Sequence, residues 1–468
     1  MSRPPRIWFF NRSYWPDSEA TGQLLTELCE DLVDDFEVTV FVGHPNHTQT
    51  DQAAGAAKRR GVTIQRLPHT RFNKSSTVGR LANLLTFTAS AFLGTLFRSR
   101  PDLVVTETDP FFLPLLGRWL KFRYRCRFVA YLQDVYPDIA IAVGRAREGW
   151  LTRFLRRRLV GAYESADRVV VVCERMLARC RQQGVSSDRL AVVHNWADCR
   201  RIVPIKNGNQ FRRVHGWDDK FLVVYSGNLG LASQLGPVLE AANLLRDDDR
   251  FQFVFIGEGV RKAQLMHRAG ELELQNVAFL TYQPLEFLSH SLSAADVQIV
   301  SLLPATQGCV MPSKLYGILA AGTPVLALCP DGDDLSRIVR EFDIGRVCPV
   351  DDDESGLAQR LANQLQEMQA SPELLARQGM AARALAERQY DRLQQVRRFA
   401  QVIHEVLRQQ RQPVSNAAKS SRNSGRADSD WQLVGRAESQ RDTADVPIGE
   451  TIEFSDPVAV DSNSGPSS

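Results

Sequence analysis

Short runs of β-branched and aromatic residues recur along the chain, most of them separated by segments of helix length, and no other feature of the sequence restricts the fold as much. Arg6-Ile7-Trp8-Phe9-Phe10, Val38-Thr39-Val40-Phe41-Val42, Val62-Thr63-Ile64, Leu103-Val104-Val105-Thr106, Phe128-Val129-Ala130-Tyr131-Leu132, Val169-Val170-Val171-Val172 and Ala191-Val192-Val193 read as strands apolar on both faces. Such strands belong to parallel sheets, whose two surfaces are covered by crossover helices. A polar, irregular passage around Lys206-Asn207-Gly208-Asn209 interrupts the series, which then restarts with Phe221-Leu222-Val223-Val224-Tyr225, Phe253-Val254-Phe255-Ile256, Val277-Ala278-Phe279-Leu280, Val297-Gln298-Ile299-Val300 and Val325-Leu326-Ala327-Leu328. At 468 residues the chain is too long for one ordinary core. The expected fold is α/β, two doubly wound sheets in tandem with a cleft between two domains. From about Leu357 to Gln410 the apolar spacing is helical, and beyond Pro413 the composition, rich in Ser, Asn, Gly, Arg and Asp, is that of a disordered tail. Within it, Trp431 and Ile452-Glu453-Phe454 read as solvated chain or as a partner motif.

Glycines stand just past several strand ends, where open α/β sheets hold ligands. Tyr14 to Gly22 is a loop into a helix expected from about Gln23 to Val33; Ser226-Gly227-Asn228-Leu229-Gly230 and Gly257-Glu258-Gly259 follow strands of the second series. The richest stretch is Gly308 to Gly322: a loop with Gly308 and Pro312, Ser313 in the first turn of a short apolar helix, Lys314 beside it, then the buried strand from Val325. Free N–H groups, the helix dipole and an ammonium all favour an anion there, so the stretch reads as a phosphate site. Its other reading is an ordinary loop–helix–strand passage.

The formal net charge of +3 excludes a bulk-electrostatic nucleic-acid binder, but cations concentrate in the first half, as at Arg153, Arg156, Arg157 and Arg158. The 8 cysteines are scattered without zinc spacing, which predicts a reduced, cytoplasmic protein, and the apolar run behind Arg3 and Arg6 is too short for a signal peptide. Leu81 to Phe97 is apolar or neutral throughout and flanked by Arg80, Arg98 and Arg100. It falls short of the roughly 20 residues a spanning helix needs, leaving a buried domain helix or one partly embedded among headgroups. Trp119 to Arg125 and Trp150 to Leu159 interleave aromatics with cations, a pattern suited either to anionic lipid or to a solvated basic face.

The motifs together, in order over roughly residues 5 to 410, resemble the retaining, GT-B-fold glycosyltransferases of family four, in particular the branch that builds capsule, colanic-acid-type and O-antigen polysaccharides. They are Pro16-Asp17 through Thr21-Gly22, Gln133-Asp134-Val135-Tyr136-Pro137-Asp138, Tyr225 to Gly230, Ile256-Gly257-Glu258-Gly259, Ala294-Ala295-Asp296, and Pro312-Ser313-Lys314-Leu315-Tyr316 with Ala320 to Val325. The resemblance implies two Rossmann-like domains facing each other: residues 1–200 for the acceptor, 201–390 for a nucleotide sugar, a helix at 391–411 packing back on the first domain, and the tail at 412–468. It implies that Thr21 and Gly22 face the donor diphosphate, with Gly227 and Asn228 at the phosphate or sugar. Gly257, Glu258 and Gly259 would border the nucleoside, Tyr282 and Gln283 the base. Pro312, Ser313, Lys314 and Leu315 would hold the pyrophosphate, Lys314 neutralising the leaving group. No metal or other cofactor is implied.

Asp134 aligns with a position where the family keeps a His or an acid near the acceptor, so it would orient or deprotonate the acceptor hydroxyl; its alternative is to cap the following helix or turn. The family's paired glutamates, eight positions apart, correspond to Cys309 and Gly317, neither of which accepts the hydrogen bonds a carboxylate does. The Arg and Lys common after the Gly227 strand are absent from Asn228 to Gln234. Asp331-Gly332-Asp333 matches a metal-binding DxD pattern of another fold but reads as a turn, and His194 as a structural residue near the interdomain hinge. The implied activity is transfer of a hexose or N-acetylhexosamine, with retention, to a lipid-linked or other saccharide at the inner membrane face. The alternatives are a non-catalytic nucleotide-sugar scaffold and an epimerase on the same fold.

Overall fold

The computed structural model describes residues 3–17, 19–45, 56–72, 77–350 and 356–409; the expected tail lies outside the described residues. The first half builds β1 (Arg6–Phe10), α1 (Ala20–Asp31), β2 (Glu37–Val42), β3 (Ala56–Arg59), β4 (Val62–Arg66), α2 (Thr77–Thr95), β5 (Leu103–Thr106), α3 (Leu113–Tyr124), β6 (Arg127–Leu132), α4 (Asp138–Ala142), α5 (Trp150–Ser165), β7 (Arg168–Val171), α6 (Glu174–Gln182) and β8 (Leu190–Val192). The sheet runs β3-β4-β2-β1-β5-β6-β7-β8, parallel except for the edge strand β3. The apolar strands were legible in the sequence; β3, Ala-Ala-Lys-Arg, was not, because its residues lack strand propensity and tertiary pairing with β4 decides the conformation.

The second half builds α7 (Gln210–His215), β9 (Phe221–Ser226), α8 (Gly236–Leu244), β10 (Phe251–Ile256), α9 (Lys262–Glu271), β11 (Val277–Leu280), α10 (Leu288–Ser293), β12 (Val297–Ser301), α11 (Lys314–Ala320), β13 (Val325–Cys329), α12 (Asp334–Glu341) and β14 (Gly345–Pro349). Its sheet, β11-β10-β9-β12-β13-β14, is wholly parallel. The helical stretch that follows divides into α13 (Leu357–Gln369), α14 (Pro372–Leu385) and α15 (Arg392–Arg408).

On one face of the first sheet α2, α3 and α5 lie side by side: Phe92 packs on Trp119 at 4.4 Å, and Arg118 donates to the Gly161 carbonyl. On the other face α15 packs against α1 and β6. Phe399 meets Tyr131 edge-on, His404 lies 4.9 Å from Phe36, and Arg392 donates two 2.8 Å bonds to Asp31.

The chain crosses between the halves twice, and the crossings run together: Ala197 N–H donates to the Tyr390 carbonyl and Arg392 N–H to the Ala197 carbonyl, both at 3.0 Å. Arg383 ties them down, donating to the carbonyls of Cys199 and Ile202 at 2.7 Å and of Ala320 at 2.5 Å. Arg383→Met strands three carbonyls that a charged donor now satisfies, and is expected to cost about 3 kcal/mol, read as a lower urea midpoint. His194 belongs to the same hinge, its Nδ1 beside the Val172 carbonyl and its ring edge-on to Tyr390.

Candidate functional site

The halves meet along a seam at the C-terminal ends of the two sheets. Asp134, past β6, forms a β-bridge with Val310, and Val135 N–H donates to the Cys309 carbonyl at 2.9 Å. Nearby, Asp334 accepts from the Arg175 N–H at 2.7 Å, and Arg179 donates to the Gln307 carbonyl at 3.0 Å. The loop that leads into α11 is therefore held against the first domain.

Lys314 opens α11, with Ser313 in the N-cap position rather than inside the helix. Its stem is partly exposed but its ammonium nitrogen is buried, lies 3.3 Å from the centre of the Tyr225 ring, and has no hydrogen-bond partner among the described residues. Burial pushes its pKa well below the ordinary lysine value. The Tyr225 hydroxyl is held by the Asn228 carbonyl and by Ser233, both at 2.8 Å, so the ring is a fixed floor. The sequence singled out Lys314 but not this ring, whose place under the ammonium depends on how α11 meets the end of β9.

Around Lys314 the glycines are required by close approach. A Cβ on Gly227 would stand 3.0 Å from Lys314 Cε, and one on Gly257, at φ +141°, would stand 2.0 Å from the Gly227 carbonyl oxygen. Gly259 would collide with the Leu229 carbonyl and with Asn228. Gly227, Asn228, Gly257 and Gly259 thus form one cradle with Lys314. Tyr282 borders it, half exposed, 3.4 Å from the Gly257 Cβ position, its pKa raised first by burial and then by Glu258 and by Glu19 of the first domain. Glu258 is paired with Lys262 at 2.7 Å, while Gln283 is half-buried and donates to the Thr281 carbonyl. Pro312 and Leu315 flank the lysine, Leu315 buried in the core.

One expectation changes. Thr21 and Gly22 are helix residues, not loop residues, because α1 starts at Ala20. Gly22 is small because the first turn packs on Ser13, whose Oγ a Cβ would approach to 2.6 Å. Gly317 faces apolar packing, with Leu292 Cδ1 3.4 Å from its Cβ position, and Cys309 is buried. A methyl fits at Gly317 in ordinary contact, so Gly317→Ala is expected to stabilise by about 0.5–1 kcal/mol with unchanged activity, checked by urea unfolding and turnover together.

On the first domain, Asp134 does not cap a helix: α4 has no side-chain cap bond. Its carboxyl is pushed up to about 7, first by burial and then by Asp109, itself gripped by Arg12 at 2.9 Å. Glu107, fully buried alongside, carries no motif signal and was missed by sequence reasoning. Of the DxD turn, Asp333 caps α12 and Asp331 pairs with Arg340, the roles of a turn. Among the described residues, no group of three or more His, Cys, Asp or Glu is arranged to hold a metal ion.

Residues 20–196 match the family model of a glycosyl transferase 4-like domain, and residues 208–385 that of the glycosyl transferases group 1. Among curated proteins, the chain is 28% identical over 310 residues to the probable glycosyltransferase WbjE of Pseudomonas aeruginosa, covering 66% of this chain and 76% of the relative. It is 26% identical over 411 residues to the putative colanic acid biosynthesis glycosyl transferase WcaI of Escherichia coli, covering 84% and 98%. Among solved structures, Anabaena HepE in complex with UDP and glucose superposes with a TM-score of 0.65 at 16% identity, over 86% of this chain and all of HepE. The shared fold is GT-B.

Proposed function

We infer that this chain, built of a glycosyl transferase 4-like domain followed by a glycosyl transferases group 1 domain, is a glycosyltransferase that moves a sugar from a nucleotide diphosphate sugar to an acceptor hydroxyl with retention, in surface-polysaccharide synthesis. The observation that carries the donor reading is the buried, unpartnered Lys314 ammonium among the glycine cradle. A buried cation without a counter-ion is costly, and a diphosphate is the ligand chemistry that cancels the cost. The HepE complex with UDP and glucose, and the colanic-acid name of WcaI, support the donor class and the pathway class.

In the reaction the C1–phosphate oxygen bond breaks and a bond from C1 to the acceptor oxygen forms on the same face of the sugar. The acceptor proton passes to Asp134 or to the departing diphosphate, whose charge Lys314 neutralises as it grows. The diagnostic experiment supplies a panel of UDP- and GDP-sugars with lipid-linked and free saccharides. Transfer with the anomeric configuration kept supports the reading; binding without turnover, or sugar conversion without acceptor, rejects it.

The acceptor we infer is lipid-linked, met at a membrane surface. α2 carries apolar residues on more than one side but only one is covered: Phe87, Ala91 and Thr95 face the core, while Val78, Leu81, Leu85 and Phe92 form an exposed stripe. Phe122 of α3 and Trp150 of α5 are exposed on the neighbouring helices, amid arginines. No described helix is long and apolar enough to cross a membrane, so this face suits partial embedding. Sedimentation with vesicles containing phosphatidylglycerol is expected, weakened by salt and by Leu85→Ser with Trp150→Ser; no difference from neutral vesicles removes the membrane reading.

A further inference from the structure

The loop that leads into α11 is held from the first domain through its main chain. The Gln307 carbonyl accepts from Arg179 at 3.0 Å, the Cys309 carbonyl accepts from the Val135 N–H at 2.9 Å, and Val310 forms the β-bridge with Asp134. Between them Gly308 sits at φ +68°, where a Cβ would stand 3.1 Å from the Arg175 carbonyl oxygen and 3.5 Å from Arg179 Nε. The loop therefore lies directly on α6, in a backbone conformation that favours glycine.

Of these contacts, only that of Arg179 is made by a side chain, and that side chain is itself held. Its guanidinium also donates to Asp138 Oδ1 at 3.1 Å. Asp138 opens α4 with its side chain mostly buried, and its other oxygen accepts from Arg156 of α5 at 3.3 Å and from Gln183 at 3.1 Å. The helices fix the carboxylate, the carboxylate fixes one arm of the planar guanidinium, and the other arm is thereby aimed across the seam. Both sides of the site hang on what it grips. Asp134 is bridged to the loop at Val310, and Lys314 begins α11 just beyond it. A shift of the loop changes the separation of the ammonium from the carboxyl, and a misplacement of about 1 Å can cost on the order of 10²-fold in rate.

We propose that Arg179, held by Asp138, is a positioning residue that sets the separation of Lys314 from Asp134 by docking residues 307–310 on the first domain. It acts through the loop rather than on the reacting atoms. The assignment rests on the reading of Lys314 and Asp134 as the donor-side and acceptor-side groups of one glycosyltransferase site.

The test compares the full chain with Arg179→Met and, from the other side of the contact, with Gly308→Ala. In each, kcat for transfer is expected to fall about tenfold or more while KM for the nucleotide sugar stays within about threefold, because the glycine cradle is untouched. The share of donor lost to hydrolysis is expected to rise, since a loosened seam admits water. Hydrogen exchange of peptides spanning residues 305–313 is expected to quicken in both variants, with Arg179→Lys, which keeps a charged donor, between wild type and Arg179→Met. Turnover that falls only with the folded fraction seen in melting curves, KM, hydrolysis share and exchange being unchanged, overturns the proposal, as does Arg179→Met with normal kcat. A wild type inactive with every nucleotide sugar would instead remove the glycosyltransferase reading, while the exchange of 305–313 would still decide whether Arg179 holds the loop.

Discussion

Replacing Lys314 by methionine is expected to lower kcat/KM by about 10² or more and, in the same protein, to raise the melting temperature measured without ligand. The two effects have one cause. The wild-type ammonium is buried with the face of Tyr225 as its compensation, and methionine fills the same space without a charge to desolvate. Addition of UDP is expected to raise the melting temperature of the wild type by mass action and to raise that of the variant far less. The proton balance gives an independent check. Because burial lowers the Lys314 pKa in the free protein, the charged form is disfavoured until an anion arrives. Diphosphate binding should then take up protons at pH 8, seen calorimetrically as a heat that depends on the buffer. A variant with normal turnover, or binding with no proton uptake in the wild type, would remove Lys314 from the leaving-group role.

Asp134→Asn is expected to lower kcat by about 10²–10⁴, with little change in donor affinity, since the glycine cradle around Lys314 that we propose holds the donor belongs to the other domain. For the wild type, kcat/KM should rise about tenfold per pH unit below 7 and level off above it, because the base must be ionised and its carboxyl is pushed up to about 7. The sign for stability is opposite. A carboxyl whose pKa is higher folded than unfolded contributes its stability at low pH and loses it as pH rises through the folded value. The asparagine variant should therefore melt higher than wild type at pH 8 and about the same at pH 4. A flat acid limb in the wild type would sink the assignment.

The alternation of apolar strands and helices made the two sheets legible, because strands buried on both faces leave a continuous β-branched signature. The glycines of the cradle were equally legible: Gly227 and Gly257 hold backbone at φ +137° and +141°, which other residues rarely adopt, and a Cβ on Gly257 would meet the Gly227 carbonyl oxygen. What stayed hidden arises from tertiary contact. Nothing local distinguishes Glu107 from a surface glutamate, or tells that Tyr225 lies beneath Lys314. The start of α1 was misjudged for a related reason, since the contact of Gly22 with Ser13 depends on a fold that loop propensities do not encode. The paired glutamates missing at Cys309 and Gly317 were visible in the sequence, but the apolar lining beside Gly317 was not.

The packing of α15 against α1 and β6 has a consequence for biosynthesis. The surface it covers is made long before the segment that covers it, which leaves the ribosome only when residue 408 has been joined and released from the exit tunnel. Until then the nascent domain keeps an apolar flank bare, a period in which chaperones would find it. A gene split at the first crossing would give an amino-terminal fragment that never receives its closing piece, so the order of synthesis and the order of completion run in opposite directions.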